Sequence, residues 1–287
     1  MNGETAIDEG RLNTRLPHKL TLISIVGMLV IWVLVALIAG KNEIGNRMVP
    51  GPIDVATAFP QFANYWTGDL GVTATQVGGE VTWQGTVLGL FYNTFLTLVH
   101  AVGGVVIGTV LGLLLAVATS WWSPIRQALA FPAHFVRLLP LLAMAPLFAL
   151  WFGGENHTGA VLFVALTAFA FVFPIGLAAI ASVPPYYEQY ARSLGASGLQ
   201  SYLRVIVPAA IPGIRGGVTL AVGFGWSAAI VAEYMTYPYG LGAIVKNAAF
   251  FGSTDLLGAL ALLTLCLAAT SFVLVRSLLD WVTRWAE

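Results

Sequence analysis

The chain reads as an all-α integral membrane protein with six transmembrane helices, on three observations. Of 287 residues, 58% are hydrophobic and 9% charged, where a soluble chain carries roughly a quarter charged residues. Six apolar runs follow one another, each near or above the ~20 residues that cross a bilayer as a helix. Lys and Arg gather on alternate connections, the asymmetry that orients membrane helices. The zero net charge argues against a nucleic-acid partner. Cys266 is the single cysteine, so no intrachain disulfide can form.

Residues 1–19 form a polar tail with Arg11, Arg15 and Lys19. Leu20 to Ala39 is the first span. Its apolar core exceeds the about 7–15 residues of a signal peptide and no small-x-small cleavage site follows, so a retained helix is expected. Residues 41–85 are mostly polar, with Pro50-Gly51-Pro52 and the acids Glu43, Asp54, Asp69 and Glu80. They form a loop, with short helices near Val55 to Tyr65, too long for a simple turn and so read as a cover rather than a connector.

A core of 86–281 and a short tail of 282–287 follow. Thr86 to Thr119, longer than one span requires, is tilted or broken. Its Gly104, Gly108 and Gly112 recur every four residues, a spacing that lets two membrane helices approach closely. Trp121 and Trp122 mark an interface. Pro124 to Phe152 is the third span, interrupted by Pro132, Pro140 and Pro146; Thr158 to Ser182 is the fourth.

Pro184 to Pro208, PPYYEQYARSLGASGLQSYLRVIVP, is the longest core stretch that cannot sit in lipid. Pro184 and Pro185 suit a first helical turn, and Gly195 falls where a left-handed cap would end that helix. Ser197 with Gln200 is a capping box opening a second short helix, which Pro208 ends. Two short helices around a Gly-Ala-Ser corner are expected.

Arg215 to Glu233 is the fifth span. Gly217 and Gly225 belong to its stripe of small residues, which suits a crossing within the core or at a dimer seam. Trp226 is a candidate for lining a pathway, and Glu233 is either interfacial or part of a pathway's outer mouth. Tyr234 to Asp255 is read as an exposed loop, and Leu256 to Leu279 as the sixth span. Nine Lys or Arg fall on the side of the tails and of Pro184 to Pro208, against three on the other. Both termini and this stretch are therefore expected in the cytoplasm.

The spans carry few ionisable groups. His100 and His134, each alone on an apolar helix, are read as packed, singly bonded histidines rather than metal ligands or relays. No G-x-x-x-x-G-K-[ST], H-E-x-x-H or G-x-S-x-G occurs, so the chain is neither its own P-loop ATPase nor an evident membrane enzyme, and no metal site is expected. A self-powered carrier of a small solute remains the alternative to a chain driven by a separate engine.

Glu188, Gln189, Tyr190 and Ala191, then Gly195, Ala196 and Ser197, then Val205, Val207 and Pro208 resemble the EAA loop of ABC-importer permeases. Ala191 to Ser197, Pro208 to Ile214, Leu138 to Pro146, Trp151-Phe-Gly, and the acid followed by Gly240-Leu-Gly242 extend the resemblance to the nitrate/sulfonate/taurine branch over roughly residues 90–280. Gln189 stands in the acid position and Tyr190 in that of a small alanine. The resemblance implies a type I ABC-importer permease fold in the bacterial inner membrane. It also implies a coupling loop at Glu188–Ser197 and Pro208 that meets a cytoplasmic ATPase dimer, a homodimeric permease, and an extracytoplasmic binding protein that delivers the solute. ATP and Mg²⁺ would sit on the ATPase, with no cofactor on this chain. The solute class implied is a small anion such as nitrate, a sulfonate, taurine or bicarbonate, or a small heterocycle.

Overall fold

Glycine spacing decides how the helices close on one another. In the computed structural model, which describes residues 18–41, 45, 47–138, 141–153 and 156–286, helix α3 (Trp83–Trp121) crosses a helix at His157–Ala181. A Cβ at Gly104 would stand 2.4 Å from Val164 Cβ, and one at Gly108 would stand 2.2 Å from the Ala165 carbonyl oxygen. Any side chain there would push the helices apart. Gly217 lies against Ile175 on one neighbour, and a Cβ at Gly225 would meet Val105 of α3 at 2.3 Å. The stripe on the fifth span thus packs inside the chain, against two helices in turn.

The other elements are α1 (His18–Ile38), α2 (Pro52–Ala58), α4 (Ser123–Leu138), α5 (Leu141–Phe152), α6 (His157–Ala181), α7 (Tyr186–Ser193), α8 (Gly198–Ser201), α9 (Val207–Thr236), α10 (Leu241–Phe250) and α11 (Thr254–Val282). Helices α3, α6 and α9 form the centre, with α5 against α6 and α9, and α11 against α9 and α10. Among the described residues, four helical stretches are long and apolar enough to span a bilayer: Trp83–Trp121, His157–Ala181, Gly198–Met235 and Thr254–Val282. The first predicted span contributes a shorter apolar stretch, Leu22–Ile38. It is mostly exposed along its length, with Trp32 donating its indole N–H to the Pro50 carbonyl at 3.0 Å.

The third predicted span holds α4, described to Leu138, and α5, described from Leu141; Pro140 lies outside the described residues. Two expectations need correction. Pro208 does not end a helix. A π turn at Tyr202–Ile206 joins α8 to α9, and the Val207 N–H reaches back five residues to the Tyr202 carbonyl. Pro208 follows just after the π turn and the helix runs on through it. Finally, 234–255 is not an exposed loop. It holds α10, whose Leu241, Ile244 and Ala248 are buried.

The 41–85 connection is a cover. Helix α2 and a 3₁₀ segment at Phe59–Tyr65 bury Val55 and Phe62 against Leu241, Ile244, Leu256 and Leu260. A Cβ at Gly89 of α3 would stand 2.2 Å from the Phe62 carbonyl oxygen. Gln61 donates to Asp255 at 2.6 Å, tying the cover to α11.

Candidate functional site

The exposed corner between α7 and α8 is built by local hydrogen bonds. Gly195 has φ +86°, which a glycine adopts at no steric cost. The Ala196 N–H bonds to the Ala191 carbonyl at 3.1 Å and the Gly195 N–H to the Arg192 carbonyl at 2.9 Å, the paired bonds of a Schellman cap. Two residues on, the Gln200 N–H donates to Ser197 Oγ at 3.3 Å and the Ser197 N–H to Gln200 Oε1 at 3.0 Å. The turn between the helices is therefore defined from both sides.

Its surface is apolar and open. Tyr190 is 68% exposed and Leu194 88%; Leu199 and Leu203 are half exposed. Gln189 is exposed, Ala191 is buried, and Glu188 pairs with Arg192 one turn on. Tyr186 stacks on Tyr187, and the hydrogen bond between them holds the Tyr186 hydroxyl above its ordinary pKa. Beneath, Tyr202 donates to the Val117 carbonyl at 2.8 Å and packs on Trp121, fastening the corner to the end of α3. A cavity of about 890 Å³ lies behind it, bordered by Trp121, Arg126, Ala181, Pro185, Glu188 and Tyr202.

At the other end of α9, Glu233 is walled in, with no exposed surface. None of its surface faces an open mouth. Its carboxylate accepts from Thr97 Oγ1 at 2.9 Å, from the Gly242 N–H at 2.9 Å, and lies 2.8 Å from His100 Nδ1. The two preceding amides are held as well: the Gly240 N–H donates to Asn93 Oδ1 at 2.8 Å and the Leu241 N–H to Thr97 Oγ1 at 2.9 Å. Three successive N–H groups at the amino end of α10, which no local side chain caps, are thus satisfied by α3 and α9. A carboxylate there also complements the helix dipole. Gly240 and Gly242 permit the approach. A Cβ at the first would stand 2.5 Å from the Glu233 carboxyl, and at the second 2.2 Å from the Ile230 carbonyl oxygen.

His100 is fully buried and doubly bonded, not singly as expected. Its Nε2 lies 2.8 Å from His157 Nδ1, and His157 Nε2 lies 2.6 Å from the Tyr237 hydroxyl. The His134 side chain lies outside the described residues. Sequence reading missed Asn93, Thr97, His157 and Tyr237. The available signal was the spacing of Asn93, Thr97 and His100, which puts three polar groups on one face of an apolar helix. Trp226 is 3% exposed, packed with Ala101, Phe163, Val164, Val222 and Ala229. It borders an apolar groove of about 560 Å³ between α9 and α11. Among the described residues no cluster of His, Cys, Asp or Glu is arranged to hold a metal ion.

Comparison with known proteins places this geometry. Residues 108–287 match a family model described as the binding-protein-dependent transport system inner membrane component. The taurine transport system permease protein TauC of Escherichia coli is 33% identical over 183 residues, 62% of this chain and 63% of that protein, so the match spans under two thirds of it. The riboflavin transport system permease protein RibX of Chloroflexus aurantiacus is also 33% identical, over 69% of this chain and 76% of that protein. Among solved structures, an inward-facing conformation of the MetNI methionine ABC transporter superposes with a TM-score of 0.59 at 18% identity, covering 68% of this chain and 96% of that one. The last likeness concerns fold alone.

Proposed function

The chain belongs to the binding-protein-dependent transport system inner membrane component family, and from that premise we propose that it is the permease subunit of an ATP-driven importer, with the α7–α8 corner as its contact for a cytoplasmic ATPase. The observation that carries this reading is the corner itself. Two caps define it from both sides, and it presents Tyr190, Leu194, Leu199 and Leu203 outward. An exposed apolar surface rimmed by polar groups suits a protein partner. Its chemistry also suits an external engine, since no nucleotide-binding loop occurs in the sequence.

The partners are an ATPase dimer carrying ATP and Mg²⁺, an extracytoplasmic binding protein, and a second copy of the permease, with both termini and the corner in the cytoplasm. The solute is a small anion, of the class of sulfonates, taurine, nitrate or bicarbonate, or a small heterocycle. The names of TauC and RibX support these two classes respectively. Trp226 is retained as a candidate near the pathway, on the apolar groove that it borders.

The test is reconstitution in liposomes with the ATPase and binding protein of the same operon. Uptake that needs ATP, the binding protein and an intact corner is expected. Uptake driven by an ion gradient without any ATPase would instead establish a self-powered carrier.

A further inference from the structure

The line of polar groups leading to Glu233 has an outside end and an inside end. His157 is exposed, whereas His100 and Glu233 have no exposed surface. Three short contacts connect them: Tyr237 hydroxyl to His157 Nε2 at 2.6 Å, His157 Nδ1 to His100 Nε2 at 2.8 Å, and His100 Nδ1 to Glu233 Oε1 at 2.8 Å. Each contact has room for one hydrogen, since a donor must face a lone pair.

With both imidazoles neutral and Glu233 ionised, one arrangement satisfies all three. Tyr237 donates to His157, His157 Nδ1–H donates to His100, and His100 Nδ1–H donates to the carboxylate. Every donor then points toward Glu233. One further proton also fits. Placed on His157 Nε2, it faces the Tyr237 oxygen once that hydroxyl turns to accept. Shifting the hydrogens within the two inner contacts then leaves both imidazoles neutral and the proton on Glu233, with no contact broken. A second added proton would set two hydrogens in one contact. The line therefore has a capacity of one proton, and that proton belongs to the line as a whole rather than to one residue.

The described surroundings offer this charge hydrogen bonds but no cation. From α3 the site meets Asn93, Thr97 and His100; from α6, His157; from α9, Glu233. The α9–α10 connection contributes Tyr237, with the Tyr239 ring 6.0 Å beyond it, and Tyr92 beyond Tyr239. Helix α10 contributes backbone N–H groups, and its Lys246 is exposed. Among the described residues no Lys or Arg forms an ion pair with Glu233. An enclosed carboxylate without a cation is costly, and one proton brings the line from a charge of −1 to neutrality.

We propose that Tyr237, His157, His100 and Glu233 form a proton-binding site, loaded through the exposed His157 imidazole, that delivers a single proton to the enclosed Glu233 carboxyl. One proton from water fills the Tyr237–His157 contact on His157 Nε2 as the Tyr237 hydroxyl turns to accept, and in each inner contact the hydrogen crosses from donor to acceptor, so the last one ends on Glu233 Oε1. No oxidant, metal or covalent step is involved.

Infrared difference spectroscopy on the full-length chain in lipid vesicles, titrated across about pH 5 to 8 where imidazoles change charge, tests the site without any transport assay. The wild-type chain should show a protonated-carboxyl stretch and imidazole ring changes rising together in one step, equivalent to one proton per chain. The carboxyl band should be missing in Glu233→Gln. His100→Gln keeps a donor and an acceptor in place but cannot pass a proton, so it should abolish the shared step. His157→Gln, at the exposed end of the line, should do the same. A wild-type chain with no step in this range overturns the proposal, as does a step that survives unchanged in His157→Gln.

Discussion

Glu233, near one end of α9, is sealed from solvent and takes three hydrogen-bond contacts from two other helices. At the corner that precedes the opposite end of the same continuous helix, Leu194 is 88% exposed and Gly195 has no neighbour within 4 Å of where a Cβ would lie. The first region is held by groups distant in sequence, and its polar atoms are buried with partners. The second is held by bonds spanning three to five residues, and its apolar side chains face outward without cover from this chain. Substitution should therefore damage the first region through folding and the second through partnership.

The largest effect tests the enclosed end. Glu233→Ala removes the carboxylate that pairs with Thr97 Oγ1, His100 Nδ1 and the Gly242 N–H, and each buried polar group left unpaired costs about 1–3 kcal/mol. Thermal unfolding of the purified chain should drop steeply, with poor membrane yield. A melting profile like the wild type would mean that the enclosure seen around Glu233 carries little energy.

Gly242→Ala comes next. Its Cβ would meet the Ile230 carbonyl oxygen at 2.2 Å, and such overpacking costs roughly 1–3 kcal/mol. Lower stability with wild-type proton uptake would separate packing of α10 from the hydrogen-bonded line.

Gly195→Val sharpens the contrast. A β-carbon at φ +86° costs on the order of 1 kcal/mol or more but meets nothing. The variant should reach the membrane in normal amounts and lose uptake, with the ATPase detached or hydrolysing without response to loaded binding protein. Full uptake with stimulated hydrolysis would remove the corner from any coupling role.

Ser197→Ala should cost about 1 kcal/mol through the lost cap and lower uptake in part. The smallest effect belongs to Glu188→Gln. It breaks an exposed i,i+4 pair with Arg192, worth at most about 0.5 kcal/mol, so any uptake defect there reports on partner contact rather than on folding.

The two regions were unequally legible in the sequence for the same reason that they respond differently. The corner is a short-range object: Gly195 and the Ser197–Gln200 pair carry their conformations in neighbouring residues, and both caps stand where the motif puts them. The glycines of α3 also announced a close crossing, although nothing local said which helix they would meet. The enclosed end depends on residues from 93 to 242. The side-chain partners of His157, His100 and Tyr237, are distant from it in sequence, and His100 looked like a solitary core histidine. Helix α10 was hidden by Pro238, Gly240 and Gly242, which locally read as loop. Those glycines instead serve close approach to Glu233 and Ile230. The continuity across Pro208 was concealed likewise, because a π turn leaves no short sequence signature.

That continuity makes α8, the π turn and α9 a lever. Gly198–Met235 is 38 residues of unbroken helix, which at 1.5 Å per residue is a rod about 57 Å long. A tilt of roughly 5° at the corner would sweep the far end through about 5 Å, close to a full helical turn of displacement. The rod's compliant points, the π turn at Tyr202–Ile206 and Pro212, both lie near the corner. Whatever tilt passes those two points would reach Glu233 through an arm that moves as one body.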